Sequence, residues 1–244
     1  MRNILIIAKR ELGGYFATPL AYIFIAIFAA LTSAFAFYLG GFFERGQADL
    51  KPFFDHHPWL LVLLVPSLAM RLWAEERKSG SIELLMTLPI TTTEAVIGKF
   101  LAAWMMMAIA LAVTAPMWIT VNYLGSPDNG VILAAYFGSW LLSGAFLAIG
   151  AAISATTKNQ VIAFVLATAV CFVFVMSGLE AVLQAFDSWL PKFVIVAISS
   201  MSYLNHYDQL AKGVVEARAI MFFFTMIAIW LFANVVIIDQ KKTT

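Results

Sequence analysis

Apolar and polar positions follow one another along this chain in long blocks. Apolar stretches run over residues 20–40, 59–73, 95–124, 131–155, 161–178 and 219–238, with short polar segments between them. A helical bilayer crossing takes ~20 apolar residues, so the pattern predicts six spans. The second block is short and holds Pro66, which predicts a kink and then a helix running on into charged residues. The third exceeds one crossing and holds Pro116, which predicts tilt or an extension beyond the membrane. The fourth carries Ser139, Ser143, Gly144, Ala148, Gly150 and Ala152. Small residues spaced by four admit a close neighbouring helix, from this chain or from a second copy.

Three further segments have a different rhythm. Over residues 1–18, Ile4, Leu5, Ala8, Leu12, Tyr15 and Phe16 recur at intervals of three and four, and Arg2, Lys9 and Arg10 fall on the other side. This predicts an amphipathic helix lying in the membrane interface, its cations near headgroups. Residues 179–218 are polar at both ends, with a short apolar middle at 193–198 and Pro191 dividing them. They predict a pair of half-length helices dipping into the outer leaflet. The third segment, 71–91, reads RLWAEERKSGSIELLMTLPIT and is the largest charged cluster in the chain. Glu75, Glu76, Arg77 and Lys78 precede the breaker Ser79-Gly80-Ser81; a short amphipathic helix over 82–88 follows, and Pro89 stops it.

Composition supports the bilayer reading. Of 244 residues, 62% are hydrophobic and 12% charged, against ~25% charged in an average soluble domain, so folding alone cannot hide this chain's apolar surface from water. The net charge of +1 offers no basic stripe for nucleic acid. Cys171 is the lone cysteine, which rules out an intrachain disulfide. The cations set an orientation. With the N-terminus inside and six spans, ten Lys and Arg residues lie on the inner side against five outside, which predicts both termini in the cytoplasm. The whole chain then reads as one transmembrane domain over 1–244, with an interfacial helix (1–18), a charged inner segment (71–91) and an outer re-entrant region (179–218).

The charged segment resembles the signature of type 2 ABC-exporter permeases. In that family an acidic pair, a variable basic pair, a glycine and a small-x-Glu-x-Leu-Leu-x-x-x-Pro run form a cytoplasmic coupling helix. Glu75, Glu76, Gly80, Ser81, Glu83, Leu84, Leu85 and Pro89 occupy those positions, with Ser81 where threonine is common. The approach 66–71 and the segment 205–218 are similar to the gliding-motility-associated subfamily. The resemblance implies an all-α permease without cofactors of its own, ATP and Mg being held by an ABC ATPase present in two copies. It also implies a second permease copy, or a related membrane subunit with an outer domain, and location in a bacterial inner membrane. Glu83 would contact the ATPase through its charge, Leu84 and Leu85 would anchor the helix, and Gly80 would aim it. By the same analogy the translocation surface would lie between the second and fifth spans, at Ser67, Met70, Phe172, Met176 and Ser177.

Other chemistries lack support in the residues. Gly98-Lys99 is followed by Phe100 and no glycine precedes it at Walker spacing, so a phosphate cradle is missing. Asp55-His56-His57 has no evident third ligand for a metal. The polar residues read within the spans (Thr32, Ser33, Ser67, Thr114, Thr120, Asn122, Ser177, Thr225, Asn234) include no ionisable group, which counts against an ion-coupled carrier. The expectation is therefore an ATP-driven exporter permease. A scaffold whose ATPase only moves an outer partner is the main alternative, and an ATP-independent secondary carrier the weaker one.

Overall fold

The computed structural model describes residues 2–82, 89–187 and 191–242. Among them there is no strand; the chain is a helical bundle. α1 (Arg2–Phe16) leads through a turn into α2 (Pro19–Ala34), which ends in a π-helical turn, Phe35–Leu39. The short α3 (Lys51–Phe54) precedes α4 (His57–Ala69) and α5 (Arg71–Ser79). Next come α6 (Thr92–Val113), α7 (Ala115–Leu124), α8 (Asn129–Ser154) and α9 (Gln160–Met176). Three short helices, α10 (Glu180–Asp187), α11 (Lys192–Ser200) and α12 (Tyr203–Ala211), separate α9 from the long α13 (Ala217–Lys242).

Five helical stretches are long and apolar enough to cross a membrane: Pro19–Leu39, His57–Ser79, Thr92–Leu124, Asn129–Ser154 and Ala217–Lys241. α9 is a shorter apolar helix of 17 residues. These six stretches coincide with the six apolar blocks of the sequence. The 179–218 region differs from the expected pair of half-helices in containing three short helices. The added one is α12, which starts where the Ser202 hydroxyl accepts from the Asn205 backbone N–H and buries Tyr203, His206, Tyr207 and Leu210.

α8 is the axis of the bundle, and residues 141–152 are buried on every side. Its small residues serve contacts within the chain. A Cβ on Gly138 would meet Leu210 of α12, one on Gly144 the Trp104 indole of α6, and one on Gly150 the Ala69 side chain of α4. At the second of these contacts Trp104 and Trp140 stack at 4.0 Å, and each indole N–H donates to the other residue's carbonyl, at 2.9 and 3.3 Å.

The helix of the second block passes through Pro66 without a break and is interrupted at Met70. Ser154 of α8 holds the interruption. Its hydroxyl donates to the Met70 carbonyl at 2.8 Å and accepts from the backbone N–H groups of Trp73 and Ala74 at 3.2 and 3.0 Å. Backbone groups at a helix break need such partners when buried, and here one hydroxyl serves three of them.

Candidate functional site

The charged segment begins as α5, nine residues continuing the line of α4. Leu72, Trp73 and Ala74 are buried, whereas Lys78 and Ser79 are exposed. Gly80 closes the helix with φ +75, a left-handed conformation that side chains with a Cβ rarely adopt. Beyond it the Ser79 and Ser81 hydroxyls meet at 2.9 Å, Ile82 packs partly against the core, and Pro89 is exposed. Glu83, Leu84 and Leu85, the heart of the expected coupling helix, lie outside the described residues.

The acidic pair is divided by the helix it sits on. Glu75 points outward, 54% exposed, 3.6 Å from the Arg71 guanidinium. Glu76 turns inward onto Lys99 of α6, whose ammonium donates to its carboxylate at 2.6 Å. Lys99 is 2% exposed and is also paired with Glu11 of α1 at 3.3 Å, and its nitrogen stands 5.3 Å from the centre of the Trp73 ring. One buried ammonium thus joins three helices. A buried cation is tolerated only with such pairing, and removing one partner strands the others. Burial by itself would raise the Glu11 carboxyl; Lys99 and Arg10 outweigh it and hold the group below its ordinary value of 4.5. Burial, followed by the neighbouring Glu11 and Glu76, pushes the Tyr15 phenol up.

α1 reaches this point by lying along the first turns of α6. Asn3, Ile7 and Glu11, one helical turn apart, meet Glu94, Gly98 and Lys99. A Cβ on Gly98 would stand 2.7 Å from Ile7, so the glycine permits the approach. Glu94 accepts from the Asn3 amide at 3.1 Å and also completes a capping box with Thr91. Arg2, Lys9 and Arg10 are exposed, as the amphipathic pattern predicts. The buried apolar residue of α1 is Ile7; Leu5, placed on the apolar side in the sequence reading, is 67% exposed. Contact with α6, in addition to contact with lipid, selects the buried face.

Further polar contacts gather at the same end. Arg77 donates to the Ala155 carbonyl at 2.6 Å, Lys241 donates to the Thr156 carbonyl, and Thr92 donates to Asp239 at 2.6 Å. The C-terminal ends of α8 and α13 are thereby tied to α5 and α6.

The residues expected to form a translocation surface lie on α4 and α9 or just beyond them. The two helices pack together, with a ring contact of 6.4 Å between Trp59 and Phe172. None of Ser67, Met70, Phe172, Met176 and Ser177 is buried, and Phe172 is 45% exposed. Ser67 and Met70 lie at the C-terminal end of α4 and Phe172, Met176 and Ser177 at that of α9; because Trp59, at the start of α4, meets Phe172, the two groups sit toward opposite ends of the helix pair. His56 and His57 do not converge. The Nδ1 of His56 is 2.8 Å from the Pro52 carbonyl, whereas His57 is enclosed by Phe53 and Phe54 with its Nδ1 2.8 Å from the Ser139 hydroxyl. Among the described residues no group of three or more His, Cys, Asp or Glu side chains is placed to hold a metal ion.

Lys99 was absent from the sequence-derived site. The signal available was a lone lysine five residues inside the third apolar stretch, and the residues that partner it lie 23 and 88 positions away.

An all-α fold with membrane-length helices and a paired charge network at one end of the bundle defines an integral, multi-pass membrane protein. Residues 57–238 match the family described as ABC-2 family transporter protein, well over half of the chain, and the chain belongs to that family. It is a permease subunit of an ABC transporter, a transmembrane part without catalysis of its own, and the family implies an ABC ATPase as partner. Among curated proteins, none matches the sequence.

Proposed function

We propose that this subunit is the membrane half of an ATP-driven exporter in a bacterial inner membrane. In this reading the chain has six spans with α9 as the fifth, both termini face the cytoplasm, and two copies, or one copy and a related subunit with an outer domain, work with two ATPase chains that hold ATP and Mg. The observation that carries the reading is the buried Lys99–Glu76–Glu11 cluster at the start of the segment 80–91. A push delivered by an ATPase to Glu83, Leu84 and Leu85 passes through Gly80 into α5. There Glu76 and Lys99 share it with α1 and α6, and Ser154 shares it with α8. Rigid-body movement of packed helices is the usual response to such a load. Glu75, outward and loosely held, and Ser81 and Pro89, at either side of the segment, complete the contact surface. The α4/α9 pair, through Ser67, Met70, Phe172, Met176 and Ser177, then meets the second membrane subunit and lines the path. The likeness of 66–71 and 205–218 to the gliding-motility-associated permeases supports a heteromeric assembly.

The test is to extract the tagged chain in mild detergent from its host and identify what co-purifies. A stoichiometric P-loop ATPase, lost on Glu83→Lys while the helical content is kept, is the expected result. Recovery of the chain alone, or a complex indifferent to Glu83→Lys, sinks the coupling assignment. Substrate-stimulated ATP hydrolysis in vesicles then separates an exporter from a scaffold that only moves an outer partner.

A further inference from the structure

Between α1, the start of α2 and α5 lies a cavity of about 240 Å3. Its position is the level of a headgroup layer: the apolar run of α2 begins at its edge with Leu20, and the apolar run of α4 has ended just before Arg71. Its walls mix apolar surface, from Leu20 and Leu72 among others, with charged groups. Glu11 and Tyr15 come from α1, Arg71, Glu75 and Glu76 from α5, and Lys99 from α6. Three carboxylates face two cations across it, and Arg10, 2.7 Å from Glu11, balances the third from outside the lining.

Two of the lining residues each carry a buried atom without a hydrogen-bond partner among the described residues, the Nε of Arg71 and the Oε2 of Glu76. One is a donor on a cation and the other an acceptor on an anion. Buried polar groups of that kind are rarely left unpaired. The Arg71–Glu75 pair, at 3.6 Å, is too long for a hydrogen bond and leaves both partners with capacity to spare. A ligand satisfying all of these groups must present an anionic acceptor to Arg71 and a cationic N–H donor to the glutamates. A water molecule satisfies either atom with a neutral partner, whereas a zwitterion offers each a charge-assisted hydrogen bond, which is the stronger kind. At this depth the molecule with both features is a zwitterionic phospholipid with a primary amine.

We propose that the cavity binds the headgroup of phosphatidylethanolamine from the leaflet that α1 lies in, the cytoplasmic one in the proposed orientation. The phosphate accepts from the Arg71 guanidinium and the ammonium donates to Glu76 and Glu75. The chemistry discriminates among lipids. Phosphatidylcholine carries the same charges but no N–H, and phosphatidylglycerol offers the phosphate without the cation. The bound lipid clamps α1 to α5 beside the Lys99 cluster.

The experiment places the full chain in nanodiscs of phosphatidylethanolamine with phosphatidylglycerol, or of phosphatidylcholine with phosphatidylglycerol at the same anionic fraction. Thermal unfolding and the lipid retained in native mass spectrometry are measured. The expected result is a higher Tm in phosphatidylethanolamine and preferential retention of that lipid, with both differences lost in Arg71→Gln and weakened in the exposed variant Glu75→Gln. Equal behaviour in the two bilayers overturns the proposal. A difference that persists in both variants also overturns it and assigns the effect to the bulk bilayer, and preferential retention of phosphatidylglycerol replaces the site with one for phosphate alone. None of these readouts involves an ATPase, so failure here leaves the coupling assignment standing, and the reverse also holds.

Discussion

The two ends of the bundle are built from different materials. At the α1 end, helices are joined through charge: Lys99 to Glu76 and Glu11, Arg77 to the end of α8, Lys241 to the turn that follows it. At the opposite end they are joined through aromatic rings and neutral hydrogen bonds. The Tyr207 hydroxyl donates to the Phe54 carbonyl at 2.8 Å and lies 3.2 Å from the Ser139 hydroxyl, which in turn meets His57. His206 stacks on Phe222 at 3.9 Å, and Phe53 and Phe54 stand edge-on to His57. The contrast fits the load each end would bear under the proposed coupling. Charge pairs strongly favour a partner of opposite sign, and in that proposal the driven segment must return to one geometry. A ring cluster tolerates small displacements with little change in energy, because dispersion is shared over many weak contacts.

The comparison is tested most severely by removing its central charge. Lys99→Met leaves Glu76 partly buried without its counter-ion and Glu11 with Arg10 alone, and is expected to destabilise the chain by about 3–5 kcal/mol. The loss should appear in denaturant unfolding in detergent, with hydrogen exchange rising first in α1 and α5. A uniform rise across the bundle would mean that the cluster does not act locally. Next in size is Gly98→Val, which forces a branched side chain against Ile7 and should lower stability by about 1–3 kcal/mol while exposing α1 to limited proteolysis. At the other end Tyr207→Phe orphans the Phe54 carbonyl and is expected to lower stability by about 1–2 kcal/mol, without effect on exchange in α1. If it matched Lys99→Met in size, the distinction between the ends would collapse.

Acid provides the smallest and most diagnostic test, because the two ends respond with opposite signs. Glu11 has a lowered folded pKa; its stabilising contribution is present above the ordinary value of 4.5 and is lost as pH falls through the folded value. Asp208 has a raised folded pKa. Burial is the main cause, Asp55 adds to it, and Lys212 and Lys51 oppose it. Its ionised form is a penalty above the folded value, relieved as pH falls from there toward the ordinary 3.8. Exchange measured at a series of acidic pH values, corrected for the intrinsic rate, should show α1 losing protection while α12 gains it. Parallel loss at both ends would contradict the assigned directions.

Much of the helical layout was legible in the sequence because bilayer length constrains it. The stretches 20–40 and 131–155 were recovered to within a few residues as Pro19–Leu39 and Asn129–Ser154. The turn at Gly80 was legible for a similar reason, since few residues other than glycine accept its backbone angles. The break in the second stretch was misplaced: Pro66 marks the local weakness, but Ser154, 84 positions from Met70, decides where the helix opens. Lys99 counted only among the inner-side cations, since its burial exists only once α1 folds along α6 and α5 closes over both. The small residues of the fourth stretch left open whether the close neighbour was this chain or another, and Leu210, Trp104 and Ala69 show it to be this chain at Gly138, Gly144 and Gly150. In each case the missing information was a partner distant in sequence.

The burial of α8 also bears on how the protein is made. Its neighbours α4 and α6 leave the ribosome before it, whereas α9, α12 and α13 leave after it. Until the last of these arrives, the side of α8 that carries Gly138 against Leu210 and part of Gly144 against Ile227 lacks its partners and can attract another helix. The nascent chain therefore stays unfinished as a bundle until its final long helix is inserted, and a ribosome stalled before residue 217 should leave an intermediate that membrane quality-control proteases recognise.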